Sequence, residues 1–281
     1  MFSIVIPTYN NFKYFKKCVD SINKNSKHKH EIIVHVNDGS DGTIDYVKKE
    51  NIKYTYSKNN IGLCSSINIA AKLCTTNYVL YSHDDMYFCP KWDQVLIDEI
   101  TKIKHENFYI CGTMIQPKGA HISLDCGDTI ENFNENKLLE NYKKYNYFDH
   151  QGSHFAPHLV TKKIWDDVGG FSEEFNPGIA SDPDFNMKLW NKGIRIFKGL
   201  NNFKVYHFGS KTTRKNSEIK KNRGDITFLK KWGISVKFFK KFYLKTNTVY
   251  VGPLKEPNKN FYYILNYVIN KLHYQIIKFL K

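Results

Sequence analysis

The feature that most constrains this chain is the regular alternation of short apolar runs and amphipathic stretches between Phe2 and Tyr81. Phe2–Ile6 is an apolar run ended by Pro7, and Phe12, Phe15, Val19 and Ile22 follow at helical spacing behind a cap at Asn10 or Asn11. Glu31–Val36 is a second strand, closed by Asn37-Asp-Gly-Ser-Asp-Gly42, a loop dense in turn formers. Ile44 and Val47 indicate a short helix, and Ile52–Tyr56 a third strand. Gly62–Leu73 reads as a helix with Leu63, Ile67, Ala70 and Ala71 inward, and Tyr78–Tyr81 as a fourth strand. Strands alternating with helices in this way predict an α/β fold, with a mainly parallel sheet covered by helices on both faces.

Beyond Tyr81 the pattern is less regular. Trp92–Ile103 looks helical and Phe108–Ile115 strand-like, whereas residues 116–150 are polar and Asn-rich and read as a long excursion near the site. A helix at Thr161–Val168, the turn Gly169-Gly170-Phe171 and a loop at Asn176–Asp182 come next. They are followed by a helix at Asp184–Asn191 and strands near Arg195–Phe197 and Lys204–Phe208, and from Lys211 onward the chain is basic and helical. A length of 281 residues suits one large α/β domain with or without an appendage.

Lys and Arg number 42 against 27 Asp and Glu, a net charge of +15. That field favours anionic partners without choosing among nucleic acid, an anionic membrane face and phosphorylated substrates. There is no zinc-finger, basic-zipper or RNA-recognition pattern, so no nucleic-acid partner is expected. The six cysteines form no C-x-x-C pair, which argues against a zinc site or redox dithiol and for reduced thiols of a cytosolic protein. With neither a signal peptide nor an apolar run of bilayer length, the expected location is cytoplasmic, or peripheral on the inner membrane face.

In open parallel sheets ligands gather at the carboxyl ends of the strands. Three polar clusters fall there: Pro7-Thr-Tyr-Asn10, Asn37-Asp-Gly-Ser40 and His83-Asp-Asp85. A loop Asp alone is more often a turn or cap residue, and it is the joint placement on one edge that carries weight. Adjacent Asp84 and Asp85 on a strand end are hard oxygen ligands suited to holding Mg²⁺ or Mn²⁺ against a diphosphate; the alternative is a solvated acidic turn.

These three clusters resemble a GT-A fold glycosyltransferase of family 2. Gly169-Gly-Phe-Ser-Glu-Glu-Phe175, Ser181-Asp-Pro-Asp184 and Val205-Tyr-His-Phe-Gly-Ser210 resemble that family's second half in the same order. The resemblance spans about residues 2–235 and implies a GT-A fold: a Rossmann-like, mainly parallel sheet flanked by helices, with a helical basic C-terminal extension. Residues 1–115 would form the nucleotide-sugar-binding half, 116–210 the acceptor-binding and catalytic half, and 211–281 the extension.

By the same resemblance Pro7, Thr8 and Tyr9 border the nucleobase, Asp38 bonds base or ribose, and Asn60 and Asp84 join the nucleotide site. Asp85 and His207 would ligate Mn²⁺ or Mg²⁺, with Lys211 and Arg214 closing over the phosphates unless they are a solvated charge run. Asp182 matches the family's general base, though with Pro183 behind it the residue also reads as a helix cap. His154 and Trp165 would face the acceptor, with core packing the alternative for Trp165. Two departures stand out: His83 replaces the first Asp of the metal motif, and Ser181 replaces a Glu before Asp182.

The implied reaction is transfer of a sugar from a nucleotide-diphosphate donor, UDP being the family's commonest, to a hydroxyl of a glycan or lipid-linked acceptor. It would proceed by a single displacement with inversion. A nucleotidyltransferase would want a Gly-rich loop after the first strand, and Pro7-Thr-Tyr-Asn-Asn11 contains no Gly. A catalytically inactive sugar-binding domain or a basic nucleic-acid binder is the remaining alternative; retention of Asp38, Asp85 and Asp182 speaks for an enzyme.

In the tail, Phe261–Lys281, residues Ile264, Leu265, Val268, Leu272, Ile276 and Leu280 fall near helical spacing beside Lys271, Lys278 and Lys281. Such a helix packs on its own domain or a second subunit, as in a homodimer, or it lies on an anionic membrane. The sequence leaves both readings open.

Overall fold

The computed structural model describes residues 1–152, 155–209 and 223–279. Its first half follows the expected order: β1 (Ser3–Tyr9), α1 (Phe12–Asn25), β2 (Glu31–Asn37), α2 (Thr43–Lys49), β3 (Lys53–Ser57), α3 (Leu63–Ala71) and β4 (Tyr78–Tyr81). All of β1 but its last residue is buried, which accounts for an unbroken apolar run where a half-exposed strand would alternate. Phe15, Cys18, Val19 and Ile22 form the inward face of α1, at helical spacing.

Then come β5 (Met86–Phe88), α4 (Trp92–Ile103), β6 (Phe108–Gln116), β7 (Ile122–Ser123) and α5 (Glu135–Asn141). The chain continues through β8 (His150–Gln151), β9 (His158–Thr161), α6 (Lys162–Val168), α7 (Ser181–Asn191) and β10 (Ile196–His207). The sheet runs β3-β2-β1-β4-β9-β6-β10-β5, with β7 on β6 and β8 on β10. Strands β3, β2, β1 and β4 are parallel, as expected. The second half is mixed, because β9 enters antiparallel between β4 and β6 and β5 lies antiparallel on β10. One sheet therefore crosses the boundary drawn at residue 115/116.

The structure revises three local expectations. The two strands expected near Arg195–Phe197 and Lys204–Phe208 are one strand, β10, whose register against β6 shifts between Leu200 and Lys204. Asn201 holds this bulge by donating its N–H to Asp149 Oδ1 (2.9 Å) and accepting from Tyr147 N–H (3.0 Å). The helix expected from Asp184 begins at Ser181, so Asp182 lies in its first turn. The polar stretch 116–150 builds a small second core, in which Ile122, Leu124 and Leu138 pack with Tyr87, Tyr206 and Phe208.

After residue 223 come α8 (Gly224–Trp232), helical turns at Val236–Phe238 and Phe239–Tyr243, and α9 (Phe261–Phe279). Of the readings left open for α9, packing of its apolar stripe on its own domain is not observed: the helix buries Tyr263 and leaves Leu265, Val268, Leu272 and Ile276 exposed. All six cysteines are free thiols, five of them buried.

Asn37, at the end of β2, ties the strand ends together. Its Nδ2 donates to Thr8 O (3.2 Å) and Ser66 Oγ (3.0 Å), while Oδ1 accepts from Ile61 N–H (3.0 Å) and Ser57 Oγ (3.2 Å). One buried amide thus joins β1, β3 and the entry to α3. Asn37→Ala strands several of these groups and is expected to lower stability by about 2 kcal/mol, read as a reduced urea midpoint at unchanged slope. An unshifted midpoint would mean that the strand ends hold without it.

Candidate active site

The carboxyl ends of β1, β2 and β4 open onto one cleft. Pro7, Thr8, Tyr9, Asn37, Asn60, Gly62 and Leu63 line its first wall, His83, Asp84 and Asp85 its floor, and Pro177, Gly178, Ile179 and Asp182 the facing wall. The second wall is carried by the loop before α7 and is fastened to α3 by Asn176. That side chain accepts from Cys64 N–H (2.9 Å) and donates to Ser65 Oγ (2.8 Å), satisfying a helix N-terminus from outside. Gly62, at φ +85°, makes the approach possible, since a Cβ there would meet Asn176 Oδ1 at 2.4 Å.

On the floor, Asp84 is buried and accepts from Thr8 Oγ1 at 2.7 Å. Burial, and then the neighbouring Asp85 carboxylate, raise its pKa well above the usual range. Asp85 is also buried, with its Oδ1 3.1 Å from His207 Nε2. The nitrogen lacks the alignment of a hydrogen bond, so two donor atoms converge without bonding each other. His83 adds a third: one ligand atom each from His83, Asp85 and His207 lie within 4.8 Å of one another.

The enclosed position lowers the pKa of His83 to about 4, keeping it neutral at physiological pH with a lone pair available. His207 Nδ1 is bonded to the Gln116 side-chain amide, the kind of outer contact that fixes the ring of a ligating histidine. The Gln116 amide nitrogen faces Nδ1; turning this amide over would place its oxygen there to accept from Nδ1–H and leave Nε2 as a lone-pair donor. This set of two imidazoles and a carboxylate fits a divalent cation of the Mn²⁺ type, with room in its coordination for diphosphate oxygens.

Across the cleft, Asp182 is partly exposed while its Oδ1 is buried without a protein partner among the described residues. Desolvation raises its pKa to about 7. Behind it, Phe185 stacks on His158 (ring centroids 5.4 Å), whose two ring nitrogens have no partner among the described residues. Tyr81 lies against the same imidazole (5.1 Å), with its hydroxyl likewise unpartnered. Burial lowers the pKa of His158 to about 3, so this inner wall is neutral and apolar apart from its orphaned polar atoms.

Of the residues singled out from sequence, Pro7, Thr8, Tyr9, Asn60, Asp84, Asp85 and Asp182 share this cleft, and His207 adjoins it through Asp85. Asp38 does not line it. Its carboxylate accepts from Asn10 Nδ2 (2.8 Å) and its backbone is left-handed (φ +62°), so it shapes the loop. Trp165 is a correction: it is buried between Phe171 and Phe185 and cannot present a face to an acceptor. His154, Lys211 and Arg214 lie outside the described residues. Sequence reasoning gave no role to Asn37, Gly62 or the wall at Pro177–Ile179; the glycines amid polar loop residues were the available signal.

The Glycosyl transferase family 2 profile matches residues 3–158. An uncharacterized glycosyltransferase of Rickettsia prowazekii is 32% identical over 200 residues, an alignment covering 69% of this chain and 58% of the relative. The chain spans between 22% and 58% of the length of the first curated relatives it matches. Staphylococcus aureus TarS (residues 1–349), solved with UDP, superposes at a TM-score of 0.55 and 19% identity, over 73% of this chain and 59% of that one. GalNAc-T7, solved with UDP, GalNAc and Mn²⁺, gives 0.55 at 15% identity, over 74% and 43% of the two chains. At these identities the likeness establishes the shared fold alone.

The donor geometry generates a direct test by Mn²⁺ titration, followed as loss of the free-ion electron paramagnetic resonance signal. Asp85→Ala and His207→Ala are expected to abolish measurable binding, and Gln116→Leu to weaken it about tenfold by releasing the ring. Wild-type affinity in all three variants would rule out this site.

Proposed function

The chain belongs to Glycosyl transferase family 2, and we propose that it transfers a sugar from a nucleoside-diphosphate donor, a UDP-sugar, to a hydroxyl of a glycan or lipid-linked glycan acceptor. The observation that carries the reading is the cleft itself. It opposes a divalent-cation donor set, on the floor delivered by β4 and β10, to a carboxylate of raised pKa on the facing wall. The UDP in TarS and the UDP and Mn²⁺ in GalNAc-T7 agree with that donor and that ion.

In this reading the first wall takes the nucleoside. Pro7 and Tyr9 offer apolar and aromatic surface to a base, and Asn60 stands beside them. Asp85, His207 and His83 would hold a divalent cation, which would supply the positive charge that stabilises the departing nucleoside diphosphate. Asp84 stays back from the ligand, bonded to Thr8, and sets the height of the floor. Residues up to 115 would then serve the donor, and the segment from 116 to 210 would supply the base and the acceptor side.

Asp182 accepts the proton of the acceptor hydroxyl as its oxygen attacks the anomeric carbon. A base must be ionised, and a pKa of about 7 places the carboxylate near the pH at which general-base catalysis is most effective. The Tyr81 hydroxyl and His158 ring behind it are buried and do not line the cleft, so they back this wall without meeting an acceptor. One displacement on this geometry inverts the anomeric configuration.

Three outcomes test the reading. Asp182→Asn is expected to lower kcat by about 10²–10⁴-fold, while UDP with Mn²⁺ raises its melting temperature as in the wild type. Undiminished turnover would remove Asp182 from the chemistry. In the wild type, log(kcat/KM) is expected to rise with a slope of one up to about pH 7 and then level, as the Asp182 proton is lost. A profile already flat from pH 5 upward would show that no group of this pKa acts. Product of retained configuration, read by NMR, would exclude the single displacement.

A further inference from the structure

We propose that α9 seats the protein on a membrane surface rich in anionic lipid. The inference stands apart from the catalytic reading, because none of its residues belongs to the cleft. It rests on an amphipathic helix that faces the opposite way from the usual one.

The side of α9 turned to the protein is aromatic and polar. Tyr263 is buried against Phe238 and Phe242 (both 5.2 Å), and Asn270 Oδ1 accepts from Ser235 N–H at 2.8 Å. Tyr267, Asn270, Lys271 and Tyr274 extend that face at spacings of three, four and seven. The outer side is the apolar one. Leu265, Val268, Ile269, Leu272, Ile276 and Phe279 fall at i, i+3, i+4, i+7, i+11 and i+14, a stripe about 100° wide, and each is exposed, from 47% at Leu265 to 83% at Phe279. From Leu265 to Phe279 the stripe runs about 21 Å along the helix. A continuous apolar ridge of this length in water calls for a covering partner.

Charge decides which partner. Between Ile226 and Lys281 the sequence holds eleven Lys and a single acidic residue, Glu256, which is already paired with Arg195 (2.6 Å). Lys271 and Lys278 lie on the helix, while Lys237 and Lys241 lie on the turns beneath it. Two copies meeting through this ridge would bring lysines against lysines with no carboxylate to answer them, the reverse of the pattern that pairs helices in water. An anionic lipid surface answers both features at once: acyl chains take the ridge, and headgroups take the lysines that reach out beside it. No helix among the described residues is long and apolar enough to cross a membrane. Asn266, Asn270, Lys271 and Gln275 would not enter hydrocarbon, so α9 lies along the surface.

Co-sedimentation of the full chain with phosphatidylcholine vesicles, with and without phosphatidylglycerol, tests this. The wild type is expected to pellet with the anionic vesicles, far less with the neutral ones, and less as salt rises. The double variant Leu272→Ser/Ile276→Ser, altered only at exposed positions, is expected to keep its thermal midpoint and lose at least about tenfold in vesicle affinity. Equal binding by wild type and variant, or no binding to either vesicle, overturns the proposal. A wild type that is dimeric by sedimentation equilibrium, becomes monomeric in the variant and ignores vesicles also overturns it, in favour of a second copy on the ridge.

Discussion

Holding Asp84 and Asp85 side by side, largely out of water, is the constraint around which the rest of the site is arranged. Two unit charges about 4 Å apart near a protein surface repel by about 4 kcal/mol. Such an arrangement persists only if one charge is suppressed or a cation intervenes. The structure separates the two roles. Asp84 is turned to the Thr8 hydroxyl, a neutral donor, and its pKa rises, while Asp85 is turned to the imidazole of His207. The difference originates in the sheet. Since β4 is hydrogen-bonded on both sides, by β1 and β9, it cannot rotate to relieve the repulsion. β10 brings His207 opposite Met86 across an antiparallel pair, so one partner is supplied by a strand more than a hundred residues away.

The basic extension takes part in this arrangement as a brace. Lys231 and Trp232, at the end of α8, reach the first turn of α7. The Trp232 indole N–H donates to Asp184 Oδ1 at 2.8 Å, and Lys231 lies 3.0 Å from the same oxygen and 2.8 Å from Glu174. Asp184 is fully buried, so these contacts answer a charge that would otherwise be stranded, where an exposed pair would contribute little. Two residues before it stands Asp182. The extension thereby fixes the helix end that presents the carboxylate to the cleft, a use of its charge that net composition does not disclose.

The sequence disclosed most where burial is two-sided. Strands β1, β2 and β4 are largely buried, so they read as mainly apolar runs, β2 broken only by the buried His35, and each is ended by a polar cluster. Three such clusters on one sheet edge locate the cleft without any structure. It disclosed less where a partner comes from afar. Nothing local says that β9 runs antiparallel between β4 and β6, or that Asn176 crosses to cap α3. Trp165 could be read either as a sugar platform or as core, because residue type does not tell which way a ring faces. The tail shows the same limit. Periodicity put Leu265, Val268, Leu272 and Ile276 on one face correctly, but it could not say whether that face turns inward, and here the inner contact is made by tyrosines.

Asp182 shows how two opposing effects settle the character of such a group. In the first turn of α7 it sits at the positive end of the helix dipole, which favours the ionised form by up to about 1 kcal/mol, less than one pH unit. Desolvation acts the other way and is larger, carrying the group from 3.8 to about 7. Burial therefore wins. The same side chain on a solvated helix end would be a weak base, ionised at every physiological pH and reluctant to take a proton. Set into the wall beside Tyr81 and His158, with Oδ1 shielded from water, it holds its proton more tightly and so accepts one more readily from a hydroxyl. In the proposed reaction a divalent cation and a diphosphate on the opposite floor would contribute charges of opposite sign. The basicity available during turnover would then depend on how nearly those two cancel at the distance of the far wall.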